Sequence, residues 1–120
     1  DKAKLGKDSF EASVITILKY KYNNTNIPSN LSGYEMLMEY FGDSYINLTG
    51  TELEEVLYFV SENRPVIAMD KVNNYVVITG YNSHSINILD PLTGKQKSIS
   101  IDQAQSQFEE HGNVFISYSE

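Results

Sequence analysis

The sequence contains no cysteine, and its only histidines are His84 and His111. Without cysteine the chain cannot form a disulfide, a thiolate metal site or a cysteine nucleophile. Two separated histidines, and aspartates that lie outside calcium-loop spacing, predict no metal site, and the sequence predicts no cofactor. No stretch approaches the roughly 20 apolar residues of a membrane span, so no such span is predicted.

Basic residues are also scarce. Nine Lys and Arg stand against 16 Asp and Glu, for a net charge of −7. Nucleic acids and anionic membranes bind concentrated Lys and Arg, so neither is expected as a partner. With 41% hydrophobic and 21% charged residues, the chain is expected to fold as one domain over residues 1–120. It starts abruptly at Asp1 and no signal peptide is predicted, so a mature form or a fragment of something longer is expected.

The first half of the chain has the periodicity of helices. Three helices are predicted, at about 9–22, 34–41 and 52–63. Asp8 or Ser9 is expected to cap the first helix, and Thr51 the third, where Glu54 completes a capping box. The buried stripe of the first helix is expected at Ala12, Ile15 and Leu18, widened by Val14, Ile17 and Tyr22. The core face of the third helix is expected at Leu53, Val56, Leu57 and Val60.

From Pro65 onward the apolar residues follow the pattern of short strands. Strands are predicted at 66–70, 75–81, 85–89, 97–101 and 113–118. A helix at 102–111, capped by Asp102, separates the last two strands. Helices followed by an antiparallel sheet predict an α+β domain, in which N-terminal helices pack against a C-terminal sheet.

Three segments of the second half read Arg-Pro-Val-Ile-Ala (64–68), Asn-Tyr-Val-Val-Ile-Thr-Gly-Tyr (74–81) and Leu-Asp-Pro (89–91). Together they resemble the bacterial double-glycine leader (bacteriocin-processing) peptidases and their secreted relatives, in the papain-like cysteine peptidase superfamily. That pattern has a Pro-Val-Ile strand, then His-x-Val-Val-x-x-Gly-Tyr, then Asp-Pro. The start of the first predicted helix, Ser-Phe-Glu-Ala-Ser (9–13), is similar to the Cys-Gly-Pro-Ala helix of the same family. The resemblance implies a papain-like fold.

The resemblance places a degenerate catalytic site on this chain. The nucleophilic cysteine falls on Ser9, the general-base histidine on Asn74, and the oxyanion-hole glutamine near Ala3. Only the orienting acid is retained, as Asp90. The hairpin between the strands at 75–81 and 85–89 independently predicts that Asn74 lies roughly opposite Asp90, where a hydrogen bond between them could keep the shape of the site.

Neither histidine is expected to rescue the chemistry. His84 lies at the hairpin tip, roughly 23 Å along the strand from Asn74, and His111 lies at the far end of the last helix. The amide of Asn74 cannot accept the Ser9 proton at useful strength. An ordinary role for Ser9, as a helix N-cap, explains its presence without catalysis.

The sequence therefore predicts a non-catalytic papain-like domain that binds an extended peptide or a protein partner at Ser9, Asn74, Tyr75 and Asp90. Two alternatives remain at this point. In the first, the chain is a hydrolase: Ser9 either replaces a peptidase cysteine as an inactivating substitution or acts as the nucleophile itself. In the second, the domain is a structural spacer of a cell-envelope protein. The expected location is extracellular or at a bacterial cell surface, or cytoplasmic for a domain appended to a transporter.

Overall fold

The computed structural model describes residues 8–22 and 32–119. Its helices are α1 (Ser9–Tyr22), α2 (Gly33–Tyr40), α3 (Leu53–Ser61) and α4 (Ile101–Glu110), with one 3₁₀ turn at Gly42–Ser44. Its strands are β1 (Tyr45–Asn47), β2 (Val66–Lys71), β3 (Asn74–Tyr81), β4 (Ser85–Leu89), β5 (Gln96–Ser100) and β6 (Phe115–Tyr118). These bounds agree with the predicted helices and strands to within a few residues, apart from β1, which was not predicted.

The six strands form one antiparallel sheet in the order β1-β6-β2-β3-β4-β5. The last strand of the chain therefore lies in the interior, between β1 and β2, and β5 forms an edge. The three residues of β1 are too few to show an alternating pattern, and they become a strand by pairing with β6 at Tyr45↔Tyr118. The predicted α+β class is confirmed.

The sheet is covered on both faces. Val66, Ala68, Val76 and Ile78 pack with α3 and α4 on one face, whereas the alternate residues Ile67 and Val77 pack with α1 and α2 on the other. Side chains of a strand alternate between faces, so a strand buried on both sides needs a continuous apolar run. This accounts for the uninterrupted Val-Ile-Ala and Val-Val-Ile runs of β2 and β3.

The buried face of α3 is the predicted one, but that of α1 is rotated. In α3 the residues Leu53, Val56, Leu57 and Val60 are all buried. In α1 the fully buried residues are Ser13, Val14, Ile17 and Leu18, while Ala12 and Ile15 are only half-buried. The side chain of Tyr22 lies outside the described residues. The polar Ser13 is buried because docking on the sheet and on α2 decides which face of α1 turns inward.

Two predicted caps are wrong. Glu52, rather than Thr51, is the N-cap of α3; it makes no side-chain capping bond, so the predicted box with Glu54 does not form. In α4 the cap is Ser100, whose hydroxyl accepts the backbone N–H of Gln103 at 3.1 Å. The helix starts one residue earlier than predicted, so Asp102 lies within its first turn. Among the described residues no helix is long and apolar enough to cross a membrane.

Candidate functional site

Ser9 lies at the start of α1 and joins that helix to strand β3. Asp8 caps the helix, since its Oδ1 accepts the backbone N–H of Glu11 at 2.8 Å. Ser9 is the first helical residue and only 4% exposed. Its Oγ accepts a hydrogen bond from the backbone N–H of Tyr75 at 2.8 Å. The interpretation of Ser9 as an N-cap is therefore wrong: its hydroxyl makes a tertiary contact across 66 positions of sequence.

The Tyr75 N–H is available to Ser9 because of the way β4 ends. β3 pairs with β4 from Tyr81 only as far as Val77↔Leu89. Beyond Leu89 the chain turns, with the Asp90 N–H donating to the Lys95 carbonyl at 2.8 Å. The first residues of β3 thus extend past the paired part of β4, and the start of α1 docks there.

Two aromatic rings lie beside Ser9. Phe10 and Tyr75 contact each other with ring centroids 5.1 Å apart and planes tilted by 59°. Phe10 occupies the position at which the resemblance has a glycine. Its ring packs against Gly33, where a Cβ would lie only 2.5 Å from Phe10 Cδ2. A glycine at the start of α2 therefore makes room for the larger side chain on α1.

Asn74 and Asp90 are not hydrogen-bonded to each other, contrary to the prediction. Asn74 Nδ2 donates to Asp70 Oδ1 at 2.7 Å, and Asp90 Oδ1 accepts the backbone N–H of Leu92 at 2.9 Å. The register Val77↔Leu89, extended by one pair, puts Asp90 beside Val76 and not beside Asn74. The register shift in the β2–β3 pairing and the tight turn after it instead bring Asp70 next to Asn74.

Asn74 and Asp90 nevertheless line one cleft of about 400 Å³, called here the Asn74–Asp90 cleft. Val76 and Ile88 contribute to its apolar lining, on the sheet face that also carries α3 and α4. Its other lining residues are Asp70, Lys71, Thr93, Lys95, Gln96 and Lys97. The three lysines were not predicted as site residues, although basic residues are conspicuously scarce after Ser32.

The four predicted binding residues thus fall in two places. Ser9 and Tyr75 meet on the α1 side of the sheet, where Tyr75 packs with Phe10. Asn74 and Asp90 line the cleft on the other side. Ala3, where the resemblance puts the oxyanion-hole glutamine, lies outside the described residues. The binding role of all four stays a prediction.

Neither histidine has a described contact with Ser9. His84 is exposed in the turn between β3 and β4, where its backbone N–H donates to Asn82 Oδ1 at 2.8 Å. His111 is the C-terminal cap residue of α4 and half-buried. Among the described residues, therefore, neither histidine is positioned as the base of a catalytic pair with Ser9.

Comparison with known proteins identifies the architecture. No protein-family model and no curated protein matches the sequence. Among solved structures, a Bacillus anthracis protein described as a C39-like peptidase aligns with a TM-score of 0.73, over 95% of this chain and 90% of that one. The fold is that of a C39-like peptidase. The predicted papain-like architecture is thereby confirmed. The two sequences are 15% identical, so the likeness concerns the C39-like fold and not the residues of the site.

Proposed function

We propose that this chain is a non-catalytic domain of C39-like fold that binds an extended peptide or a segment of a protein partner. One observation supports the absence of catalysis. The Ser9 hydroxyl, at the position where the resemblance has the nucleophile, is buried and accepts a hydrogen bond from the Tyr75 backbone N–H. A serine nucleophile requires an adjacent base to take its proton, and an amide N–H cannot do this.

The surroundings of Ser9 support the same conclusion. The chain has no cysteine, and a neutral amide such as that of Asn74 is not a proton acceptor of useful strength. The Asn74 amide moreover donates to Asp70. Loss of the nucleophile or of the base from a hydrolase costs on the order of 10⁶ in turnover, and here both positions differ from the family pattern.

The binding role is supported by the shape of the Asn74–Asp90 cleft. Its lining combines apolar side chains, Val76 and Ile88, with polar groups such as Asn74 and Gln96. Gln96 and Lys97 belong to β5, an edge strand with a pairing partner on one side only. An extended segment that adds to a sheet edge gains main-chain hydrogen bonds, and pockets beside that edge select its side chains.

We place the domain outside the cell or at a cell surface as part of the same proposal.

A cleavage assay tests the absence of catalysis. The protein is incubated with a library of unmodified peptides, and products are followed by mass spectrometry. We expect no cleavage beyond that of a Ser9→Ala variant. Turnover that Ser9→Ala abolishes would show that the chain is a hydrolase.

A titration tests the binding role separately. The same peptides are added to isotope-labelled protein, and backbone amide shifts are followed by NMR. We expect the perturbed amides to cluster around Asn74, Tyr75, Asp90 and Lys97. Perturbations confined to other surfaces, or none at all, would contradict binding in the cleft.

A further inference from the structure

Within residues 32–119 the exposed basic residues are gathered in one place. Residues 32–119 contain 12 acidic side chains and four basic ones. Of the four, Arg64 is buried and donates from Nη1 to the Tyr118 carbonyl at 3.1 Å. The remaining three, Lys71, Lys95 and Lys97, are all exposed and all line the Asn74–Asp90 cleft.

Among the described residues, the ammonium groups of these three lysines form no ion pair with a carboxylate. The two carboxylates of the cleft have other hydrogen bonds. Asp70 is 8% exposed and accepts the Asn74 amide, and Asp90 accepts the Leu92 N–H. The three lysines project from separate parts of the fold, at the end of β2, in the turn after β4 and on β5.

A group of unpaired cations among the acidic side chains of residues 32–119 acts as a local electrostatic target. In the part of the chain formed by residues 32–119, carboxylates outside the cleft repel an anionic ligand. The cleft carries three lysines against Asp70 and Asp90, a surplus of positive charge that attracts the ligand there. The same pattern disfavours nucleic acid, because a long polyanion extends beyond the cleft onto acidic surface.

We infer that the ligand of the Asn74–Asp90 cleft is an acidic peptide segment, whose Asp or Glu side chains contact Lys71, Lys95 and Lys97. This inference rests on the proposed function, since it names the chemistry of the segment that the cleft holds. An extended segment beside β5 presents side chains on both of its faces. Those directed into the cleft would meet the lysines over the apolar patch of Val76 and Ile88.

The experiment compares two fluorescein-labelled peptide libraries by anisotropy. One contains extended octapeptides with Glu at alternate positions, and the other has Gln at each of those positions. We expect the acidic library to bind about tenfold more tightly at low ionic strength, because three exposed charge contacts each contribute modestly. The difference should shrink as salt is added, since exposed charges are screened.

Charge-neutral variants locate the effect. The triple variant Lys71→Gln, Lys95→Gln, Lys97→Gln should lose the preference for the acidic library. Lys19→Gln, at an exposed lysine of α1 outside the cleft, is the control and should keep it. Circular dichroism of each variant checks that the fold is intact, as is expected for exposed side chains.

The outcomes separate the inference from the function on which it rests. If both libraries bind equally and shift cleft amides, the acidic-segment inference is wrong and the peptide-binding function stands. If neither library shifts cleft amides, both are wrong. Equal affinity for a single-stranded oligonucleotide of the same charge would also overturn the inference, since it would show a preference for charge without peptide.

Discussion

Replacing Ser9 by alanine tests the contact that joins the start of α1 to strand β3. The Ser9 hydroxyl accepts the Tyr75 N–H at 2.8 Å, in a position that is 4% exposed. Its removal leaves a part-buried backbone donor without a partner, and an unsatisfied buried donor costs about 1–3 kcal/mol. Alanine forms helices better than serine, by roughly 0.5 kcal/mol, and this offsets a part of the loss. We expect a net decrease of about 1–2 kcal/mol in the free energy of unfolding.

Urea unfolding followed by circular dichroism measures this change, with an unaltered slope against denaturant because the exposed surface is the same. Hydrogen exchange supplies a local readout: the Tyr75 amide should lose protection in the variant, while amides inside the β3–β4 ladder keep theirs. Thr16→Ala is the matched control on α1. Thr16 Oγ1 only donates to the Ala12 carbonyl of its own helix, at 2.9 Å.

The control should change stability by less than about 0.5 kcal/mol, as is usual for substitutions that break no tertiary contact. If Ser9→Ala is as mild as Thr16→Ala, and the Tyr75 amide stays protected, then the hydroxyl does not dock α1 on β3. In that event the Ser9 hydroxyl would be free to act as a nucleophile, contrary to the proposed function.

Three further changes have predictable effects. Gly33→Ala should destabilise the fold by about 1–3 kcal/mol, because the new methyl meets the Phe10 ring at 2.5 Å. Thermal unfolding measures this loss, which should vanish when Gly33→Ala is made in a Phe10→Ala background; a loss that persists there would contradict the explanation. Ser100→Ala removes the acceptor for the Gln103 N–H and should lower the free energy of unfolding by about 0.5–2 kcal/mol. Urea unfolding measures this, and an unchanged free energy would show that the cap is dispensable. Burial raises the pKa of Tyr45 above its ordinary 10.0, so the unfolded chain releases this proton first and stability should fall as the pH rises above about 10. The melting temperature of Tyr45→Phe should fall less over that range, and equal slopes would contradict the assignment.

Much of the secondary structure is encoded locally, and those elements were predicted correctly. Strand β4 has the predicted bounds, Ser85–Leu89, and α1 the predicted extent, 9–22. The core face of α3 is also the predicted one. Each of these features depends on periodicity and turn residues within a few positions of the chain, which is the range over which a single sequence is informative.

Caps were harder to predict, because a cap depends on where the helix begins to within one residue. Ser100 and Asp102 are both suitable cap residues, and the end of β5 decides between them by placing Ser100 at the last extended position. The same argument applies at the first helix, where Asp8 makes the cap and releases the Ser9 hydroxyl for another partner.

The sequence by itself determined the α+β class, the absence of a thiol nucleophile and the small number of histidine, lysine and arginine residues. Tertiary structure alone decided what these residues contact. Ser9 meets Tyr75 because β4 ends short of the start of β3, and Asn74 meets Asp70 because the strand register shifts there. Three lysines spread over 27 positions, from Lys71 to Lys97, share a cleft because β2, β4 and β5 belong to one sheet. Strand register and sheet order depend on contacts between distant residues, and no local pattern contains them.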